Sequence, residues 1–348
     1  MTETQAPILD VRNIRVGFRR GRRAPLFWAL DDVSVTVHRG RTMGLVGESG
    51  SGKSTLARAV LGLAPVHSGT VELLGRDITR LDAKERRALG RSLQAVFQDP
   101  NSSLNPSYTV ARSLAEPLRA QNVRARAEVG RRTKTMLEDV GLDPSAAGRY
   151  PRQFSGGQRQ RISIARALMT SPEVVICDEA VSALDLSVKA QILNLLSDLQ
   201  DEHGLSYLFI SHDMSVVRHV CHDLTVLYRG QVMEAGPTKL VASEPAHPYT
   251  RALLLAAPVA DPTVQRQRRD NPPEQVGGTS PSSSSGCPFA PRCPFAGEQC
   301  WETRPPLQSL PDGRVVACHR YPEWQEEAGT TVSPSVASTA STAAPESV

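Results

Sequence analysis

The stretch GESGSGKST, Gly47 to Thr55, decides the fold, because it fits the pattern G-x-x-x-x-G-K-S/T. It follows an apolar segment, RTMGLVG (41–47), which predicts a buried strand, and it precedes STLARAVLGL (54–63), which has helical spacing. Strand, glycine-rich loop and helix in this order predict a phosphate-binding loop, whose backbone N–H groups point at phosphate oxygens. Lys53 is expected to reach the β- and γ-phosphates, and Ser54 to offer its hydroxyl to Mg²⁺.

A pair of acidic residues follows a second apolar segment, VVICDE (174–179). The apolar residues predict a buried strand, so Asp178 and Glu179 arrive at its carboxyl end, where open α/β sheets bind ligands. Asp178 is expected to hold Mg²⁺, directly or through water. Glu179 is expected to orient and polarise the attacking water in a phosphoryl transfer. Together the two motifs predict a P-loop NTPase.

The segment FSGGQRQRISIARAL (154–168) narrows the class of protein. Ser155 stands at the N-cap position of an amphipathic helix and two glycines follow it, so this helix end predicts a second phosphate-binding site. Here the chain resembles the ATP-binding cassette (ABC) family, whose signature is SGGQ. The resemblance covers roughly residues 8–245, with the motifs in the family's order and spacing.

The resemblance implies a role for each motif. Gln98 in VFQDP matches the family's Q-loop, SALD (182–185) matches its D-loop, and His212 in ISHD matches its switch histidine. The implied catalytic residues are Glu179, His212 and Gln98, and the implied Mg²⁺ ligands are Ser54, Gln98 and Asp178. The residues that the resemblance assigns to ATP are Phe18, which would stack on adenine, Gly47, Ser49, Gly50, Gly52, Lys53, Ser54, Thr55, Ser155, Gly156, Gly157, Gln158 and Asp185.

The expected fold combines this resemblance with the order of the sequence patterns. β-rich segments come first, a helical stretch follows, and strand and helix patterns then alternate, which predicts a parallel α/β core. The fold class is α/β: a RecA-like P-loop NTPase core with an antiparallel β subdomain, an inserted helical subdomain and a small cysteine-rich C-terminal extension. The expected boundaries are 1–245 for the nucleotide-binding domain, about 99–170 for the helical subdomain, 246–325 for the extension, 271–286 for a mobile linker and 326–348 for a disordered tail.

The resemblance also implies partners. In the ABC family two cassettes meet head to tail, so that each ATP lies between one chain's phosphate loop and the other chain's SGGQ. One copy of each motif is found here, so a second ABC ATPase chain, identical or related, is implied. The segments EPAHPYTRALLLAAP (244–258) and RPPL (304–307) resemble the C-terminal extension of oligopeptide and dipeptide permease ATPases. The implied machine is a bacterial importer with an extracytoplasmic substrate-binding protein, two transmembrane permease subunits and two ATPases at the cytoplasmic face of the membrane.

Composition and charge argue against other classes. A chain of 348 residues with 40% apolar and 22% charged residues is ordinary for a soluble protein, and a net charge of +4 is too small to imply nucleic acid. The N-terminus lacks the features of a signal peptide, and no stretch approaches the roughly 18 apolar residues of a membrane span, so we expect a cytosolic chain. An ABC ATPase of DNA repair would carry a long coiled-coil insertion, and a translation factor would carry two cassettes. The cargo stays open among peptides, a nickel chelate, glutathione and an oligosaccharide.

Four cysteines gather near the end of the chain, three of them in CPFAPRCPFAGEQC (287–300). Cytosolic thiols stay reduced, so such a group favours a metal site over disulfides. Four thiolates suit Zn²⁺ or an iron–sulfur cluster, and the spacing lacks the C-x₂-C of structural zinc. The resemblance also implies a [4Fe–4S] cluster in this extension of some peptide-importer ATPases. We therefore predict a cluster on Cys287, Cys293, Cys300 and Cys318, with zinc, free thiols or disulfides as alternatives. Cys177 and Cys221 are expected to be buried hydrophobes.

Overall fold

The structure, a computed structural model, describes residues 6–19, 21, 25–99, 103–257 and 285–329. Residues 271–284 of the predicted linker and 330–348 of the predicted tail lie outside the described residues. The strands are β1 (Pro7–Phe18), β2 (Phe27–His38), β3 (Thr42–Val46), β4 (Ser68–Leu73), β5 (Arg76–Asp77), β6 (Leu93–Val96), β7 (Val174–Asp178), β8 (Ser206–Ser211), β9 (Asp223–Tyr228), β10 (Gln231–Pro237), β11 (Gln308–Ser309) and β12 (Val315–Val316). The α-helices are α1 (Lys53–Val60), α2 (Ala83–Leu89), α3 (Val110–Ala120), α4 (Arg126–Asp139), α5 (Gly156–Leu168), α6 (Leu186–His203), α7 (Met214–Val220), α8 (Thr238–Ser243), α9 (Pro248–Ala256), α10 (Glu298–Glu302) and α11 (Glu323–Glu327).

The larger sheet holds the parallel core, in the order β11-β12-β10-β9-β3-β8-β7-β6. Strands β9, β3, β8, β7 and β6 run parallel to one another. β7 and β8 are nearly continuous apolar runs and are buried along almost their whole length, as expected for parallel strands that are covered on both faces. Because the strands are parallel, the residues that follow β3, β6, β7 and β8 meet at one edge of the sheet. The predicted α/β P-loop core is confirmed.

The smaller sheet is antiparallel, in the order β2-β1-β4-β5. The apolar side chains of β1 and β2, such as Leu9, Ile14 and Val35, belong to a core that also contains Leu56 of α1 and Ile176 of β7. This second core joins the small sheet to the large one and encloses α1 between them. The predicted antiparallel β subdomain is therefore present.

A helical lobe is inserted between β6 and β7. It contains α3, α4 and α5, and its buried side chains include Leu114, Leu137, Val140 and Ile162. Thr109 caps α3, because its hydroxyl accepts a hydrogen bond from the N–H of Arg112. Among the described helices, none combines the length and the apolar character needed to cross a bilayer.

The C-terminal extension adds strands to the core sheet. β12 pairs antiparallel with β10, so that Val316 lies opposite Glu234 and Val315 opposite Ala235. Trp324, only 1% exposed, donates from Nε1 to the carbonyl of Ala246 at 2.9 Å. The extension is thus fixed to the cassette by backbone pairing and by a buried aromatic anchor, and neither contact was predicted from the sequence.

Candidate active site

The loop between β3 and α1 has the backbone of a phosphate cradle. Gly52 directly precedes α1 with a φ of 109°, which favours glycine. A methyl group at Gly47 would lie 2.1 Å from the carbonyl oxygen of Leu227, and one at Gly52 would lie 2.6 Å from that of Ala29. The glycines are therefore needed both for the turn and for the close approach of neighbouring strands. The loop ends at the N-terminus of α1, which favours a bound anion. Ser49 and Gly50 are exposed in this loop, and Thr55 is half-buried.

Lys53 lies folded against this loop. Its Nζ donates to the carbonyls of Gly47 at 2.8 Å and Glu48 at 2.9 Å, and the residue is only 5% exposed. Burial lowers the pKa of Lys53, while the nearby carboxylates of Glu179, Asp178 and Glu48 act in the opposite direction. The amine is thus held at the cradle by two carbonyls, which phosphate oxygens could replace.

The candidate magnesium ligands come from two neighbouring elements. Ser54 Oγ, in the first turn of α1, donates to Asp178 Oδ1 at the end of β7 over 3.1 Å. Burial raises the pKa of Asp178, and the hydrogen bond from Ser54 opposes that rise. Gln98 is exposed two residues after β6, the strand that pairs with β7. Hydroxyl, carboxylate and amide oxygens at one sheet edge suit Mg²⁺, which prefers oxygen ligands.

Glu179 and His212 face each other beside these candidate magnesium ligands. Glu179 has a φ of 50°, unusual for a residue other than glycine, and its N–H donates to the carbonyl of Ile210 at 3.0 Å. Its Oε1 lies 3.4 Å from Nδ1 of His212, whose side chain is 55% exposed. The strained backbone turns the carboxylate toward the residue that follows β8. Strain of this kind is frequent where geometry serves function.

The SGGQ segment forms the exposed N-terminus of α5. Ser155 and Gln158 make a capping box, in which the Ser155 hydroxyl accepts from Gln158 N–H and Gln158 Oε1 accepts from Ser155 N–H. A methyl group at Gly157 would lie 2.5 Å from Val188 of α6, whereas Gly156 faces open space. Within the described residues, no hydrogen bond joins this segment to the phosphate loop. The described hydrogen bonds therefore leave the two predicted phosphate-binding elements of one chain unconnected.

The D-loop segment begins the helix α6. Asp185 caps this helix, and the backbone hydrogen bond from Val188 is the largest cause that lowers the pKa of Asp185. Two features near it were not predicted from the sequence. The first is Leu186, which is 82% exposed and marks an apolar contact point. In addition, Lys189 Nζ lies 3.3 Å from Asp213 Oδ2, so α6 is tied to the segment that carries His212. An apolar residue directly after an N-cap was the only available signal for Leu186, and nothing local indicated the ion pair.

Phe18 is 42% exposed at the end of β1. Its register partner across the sheet is Phe27, which is 60% exposed and which the sequence analysis did not single out. Two adjacent exposed aromatic residues could offer a stacking surface to a flat ring. Phe18 and Phe27 are separated in the sequence, so no motif that contains Phe18 indicated this neighbour.

The four clustered cysteines line one small cavity of about 10 Å³. All six cysteines of the chain are free, and the N–H of Cys287 donates to the carbonyl of Cys300 at 2.8 Å. Burial raises the pKa of Cys293 and of Cys318 to about 12. In the part of the chain that the structure describes, no group of three or more His, Cys, Asp or Glu side chains is arranged to hold a metal ion. Cys177 is fully buried and Cys221 is 9% exposed, as expected for structural residues.

The geometry defines a class of protein: a P-loop ATPase with an inserted helical lobe, whose SGGQ segment forms a separate capped helix end. Residues 30–182 match the family described as ABC transporter, and residues 233–300 match the family described as oligopeptide/dipeptide transporter, C-terminal region. The chain belongs to the ABC transporter family, and its C-terminal part belongs to the oligopeptide/dipeptide group. It binds and hydrolyses ATP as members of that family do.

Relatives cover nearly the whole chain. A peptide import ATP-binding protein of Brucella abortus (strain 2308) is 49% identical over 89% of this chain and 92% of its own length. The oligopeptide transport ATP-binding protein OppF of Escherichia coli (strain K12) is 44% identical over 88% of this chain and 95% of its own length. Among solved structures, cbiO1 from Clostridium perfringens, part of the ABC transporter complex cbiONQ, has a TM-score of 0.61 with 26% identity over 69% of this chain and 92% of that chain. The ATP-binding cassette MJ0796, in a dimer bound to ADP and Pi, has a TM-score of 0.59 with 28% identity. The match covers 66% of this chain and 98% of that chain.

Proposed function

We propose that this chain is the ATP-hydrolysing subunit of a bacterial importer that takes up oligopeptides or dipeptides. The observation that carries the proposal is the match of residues 233–300 to the oligopeptide/dipeptide transporter C-terminal region, joined to a cassette with every ATP motif. Relatives of nearly the same length are named for peptide import and oligopeptide transport. Nickel chelates, glutathione and oligosaccharides are the alternative cargoes.

The residues of one chain supply the first half of the reaction site. The loop amides and Lys53 bind the phosphates, Ser54 and Asp178 would hold Mg²⁺ with Gln98, and the metal would neutralise charge on the phosphates. Glu179 orients and polarises the attacking water, and His212 supports its carboxylate at 3.4 Å. Phe18 would stack on the adenine ring.

A second ABC ATPase chain supplies the other half. The exposed Ser155 and Gln158 and the half-buried Gly156 and Gly157 of each chain would close on the ATP held by its partner, near Asp185 and the exposed Leu186. The relative MJ0796, which is dimeric with ADP and Pi bound, supports this arrangement. The pair consists of identical or related chains.

The two transmembrane permease subunits would dock on the helical lobe. Between α3 and α4 lies a groove of about 1110 Å³ with an apolar floor that includes Val123 and Val129. Five cationic side chains and no acidic one line this groove among the described residues: Arg112, Arg119, Arg124, Arg126 and Lys134. Charge complementarity therefore favours a permease segment that carries carboxylates. The ATPase pair would sit at the cytoplasmic face of the membrane, and an extracytoplasmic substrate-binding protein would deliver the cargo. No nucleic acid takes part.

The decisive experiment uses the complete importer in vesicles with its binding protein. Glu179→Gln should keep ATP binding and lower the hydrolysis rate at least about a hundredfold, because the water loses its polarising carboxylate. Glu173→Gln is the matched control, since Glu173 immediately precedes β7 at the end opposite Glu179 and pairs with Arg39 at the surface. Wild-type turnover by the Glu179→Gln importer would refute the assigned role. Stimulation by a nickel chelate, glutathione or an oligosaccharide, and not by peptide, would refute the peptide cargo alone.

We also propose a [4Fe–4S] cluster on Cys287, Cys293, Cys300 and Cys318, with a structural role in the extension. Support comes from the donor set, because all four thiols line one cavity and soft thiolates are the ligands of such clusters. The spacing of these cysteines in the sequence, which lacks a C-x₂-C pair, disfavours structural zinc. Protein purified without oxygen should be brown and contain about four irons per chain. Cys293→Ser should abolish both properties and Cys221→Ser should keep them, whereas colourless protein with one zinc per chain would overturn the assignment.

A further inference from the structure

The C-terminal extension reaches the phosphate loop at Glu48, the second residue of that loop. Arg292 Nη1 lies 2.8 Å from Glu48 Oε2, and the backbone N–H of Glu48 donates to the Tyr249 hydroxyl at 2.9 Å. Arg292 and Tyr249 are separated from Glu48 by 244 and 201 positions in the sequence. Two parts of the C-terminal region therefore hold one residue of the loop, by its side chain and by its backbone.

The two residues that hold Glu48 are themselves fixed. Tyr249 is fully buried, and its ring lies 4.6 Å from that of Tyr228 and 5.3 Å from that of Phe289, between centroids. Arg292 ends the short helical turn Ala290–Arg292, directly before Cys293, and its guanidinium lies 5.7 Å from the ring of Phe289. A rigid aromatic group thus supports both contacts.

Glu48 also belongs to the hydrogen bonds that shape the loop. Its carbonyl accepts from Lys53 Nζ at 2.9 Å and from the N–H of Ser51 at 3.1 Å. A rotation of the Glu48 peptide would move this carbonyl, and with it the amine that reaches the phosphates. The Glu48 carboxylate, moreover, is a negative charge in a loop that must receive the negative charges of ATP. Arg292 pairs with that charge and offsets it.

We propose that Arg292 and Tyr249 are positioning residues of the ATP site, through which the C-terminal extension sets the conformation and the charge of the phosphate loop. Neither residue belongs to an ATP motif; both contact the loop at Glu48 and act through it. The contact of Arg292 with Glu48 is both an ion pair and a hydrogen bond that Arg292 donates over 2.8 Å. The inference rests on contacts within this chain and is independent of the cargo.

The test measures MgATP affinity of the full-length chain with a fluorescent ATP analogue, together with its melting temperature. Arg292→Gln should weaken binding about three- to tenfold, because the unpaired Glu48 repels the phosphates. Arg304→Gln is the matched control: Arg304 also joins the extension to the cassette, at 2.8 Å from Asp31 of β2, and its side chain is 38% exposed against 33% for Arg292. Its affinity should stay within about twofold of wild type.

A second variant separates positioning from general stability. In the double variant Glu48→Gln, Arg292→Gln, the repelling charge is gone, so the affinity should return to within about twofold of the single variant Glu48→Gln. Tyr249→Phe should weaken binding even in the Glu48→Gln background, because it leaves the backbone N–H without its acceptor. Equal losses in Arg292→Gln and Arg304→Gln, wild-type affinity of Arg292→Gln, or no recovery in the double variant would overturn the proposal. If Arg292→Gln alone fails to fold, the double variant and Glu48→Gln still decide the charge effect, because a difference between their affinities contradicts it.

Discussion

Replacement of Arg314 by Met should destabilise the protein strongly, because it breaks a buried ion pair from one side. Arg314 is 3% exposed in its side chain and Glu234 is 0% exposed, with 3.5 Å between Nη1 and Oε1. Glu234 would keep the backbone N–H groups of Ala246 and His247, at 2.9 and 3.0 Å, and the hydroxyl of Thr250, none of which carries a charge. Removing one partner of a buried pair costs about 3–5 kcal/mol, because the other charge stays without compensation. For a domain of this size the loss corresponds to a fall in Tm on the order of 10 °C.

The assay is calorimetry of the full chain without nucleotide, and Arg12→Met is its control. Arg12 is likewise an ion-paired arginine, at 2.6 Å from Asp10 and 3.2 Å from Glu72, but its side chain is 53% exposed. Water and ions screen that pair, so Tm should fall by less than about 2 °C. Equal changes in Tm for the two variants would refute the reasoning, since burial is what distinguishes them.

The pH dependence gives a second readout of the same perturbation. Burial raises the pKa of Glu234, and Arg314 opposes the rise. Without Arg314 the folded-state pKa rises further above the unfolded value, so the folded protein binds the proton more tightly. The destabilisation of Arg314→Met is therefore full above the folded-state pKa and shrinks as pH falls through it. A penalty that grows on acidification would contradict this sign.

Three further outcomes are expected. Lys53→Ala should weaken MgATP binding at least about tenfold in an equilibrium titration, which is the value of one charge-assisted contact to phosphate. Unchanged affinity would show that Lys53 does not bind the phosphates. The isolated wild-type chain should hydrolyse ATP far more slowly than the assembled importer, because SGGQ must come from a partner; full activity at concentrations where the chain is monomeric would contradict this. Phe18→Ala should weaken ATP binding roughly tenfold and the binding of inorganic triphosphate very little, because only the adenine base stacks on this ring. The variant Phe27→Ala tests whether the neighbouring ring contributes to the stacking.

The features that were predictable from the sequence are those that neighbouring residues determine. The loop before α1, the acidic pair after β7 and the cap of α5 each follow from backbone requirements within about ten residues, and the structure places them on those elements. Burial of Cys177 followed in the same way from the apolar run around it. Local patterns were sufficient because strand, turn and helix signals agree there.

Contacts between distant parts of the chain left no such signal. Glu234 lies in β10 as a completely buried acidic residue, and its one cationic partner among the described residues, Arg314, is 80 positions away in the sequence. The contact of Arg292 with Glu48 depends on how the extension packs, not on either local sequence. No local sequence pattern predicts the positive φ of Glu179. It accompanies a hydrogen bond from the Glu179 N–H to the carbonyl of Ile210, which lies on another strand.

The pairing of β12 with β10 has a consequence for synthesis on the ribosome. β10 ends at Pro237 and β12 begins at Val315, so about 80 residues must still be translated before the free edge of β10 receives its neighbour. At a translation rate of about 5–20 residues per second, the backbone groups of that edge stay unpaired for roughly 4–16 s. An unpaired strand edge is a template for aggregation. A nascent chain of this kind already contains every ATP motif of the cassette. Premature termination between the two strands would therefore leave a chain that carries these motifs and has an unpaired edge at β10, where other chains can add a strand.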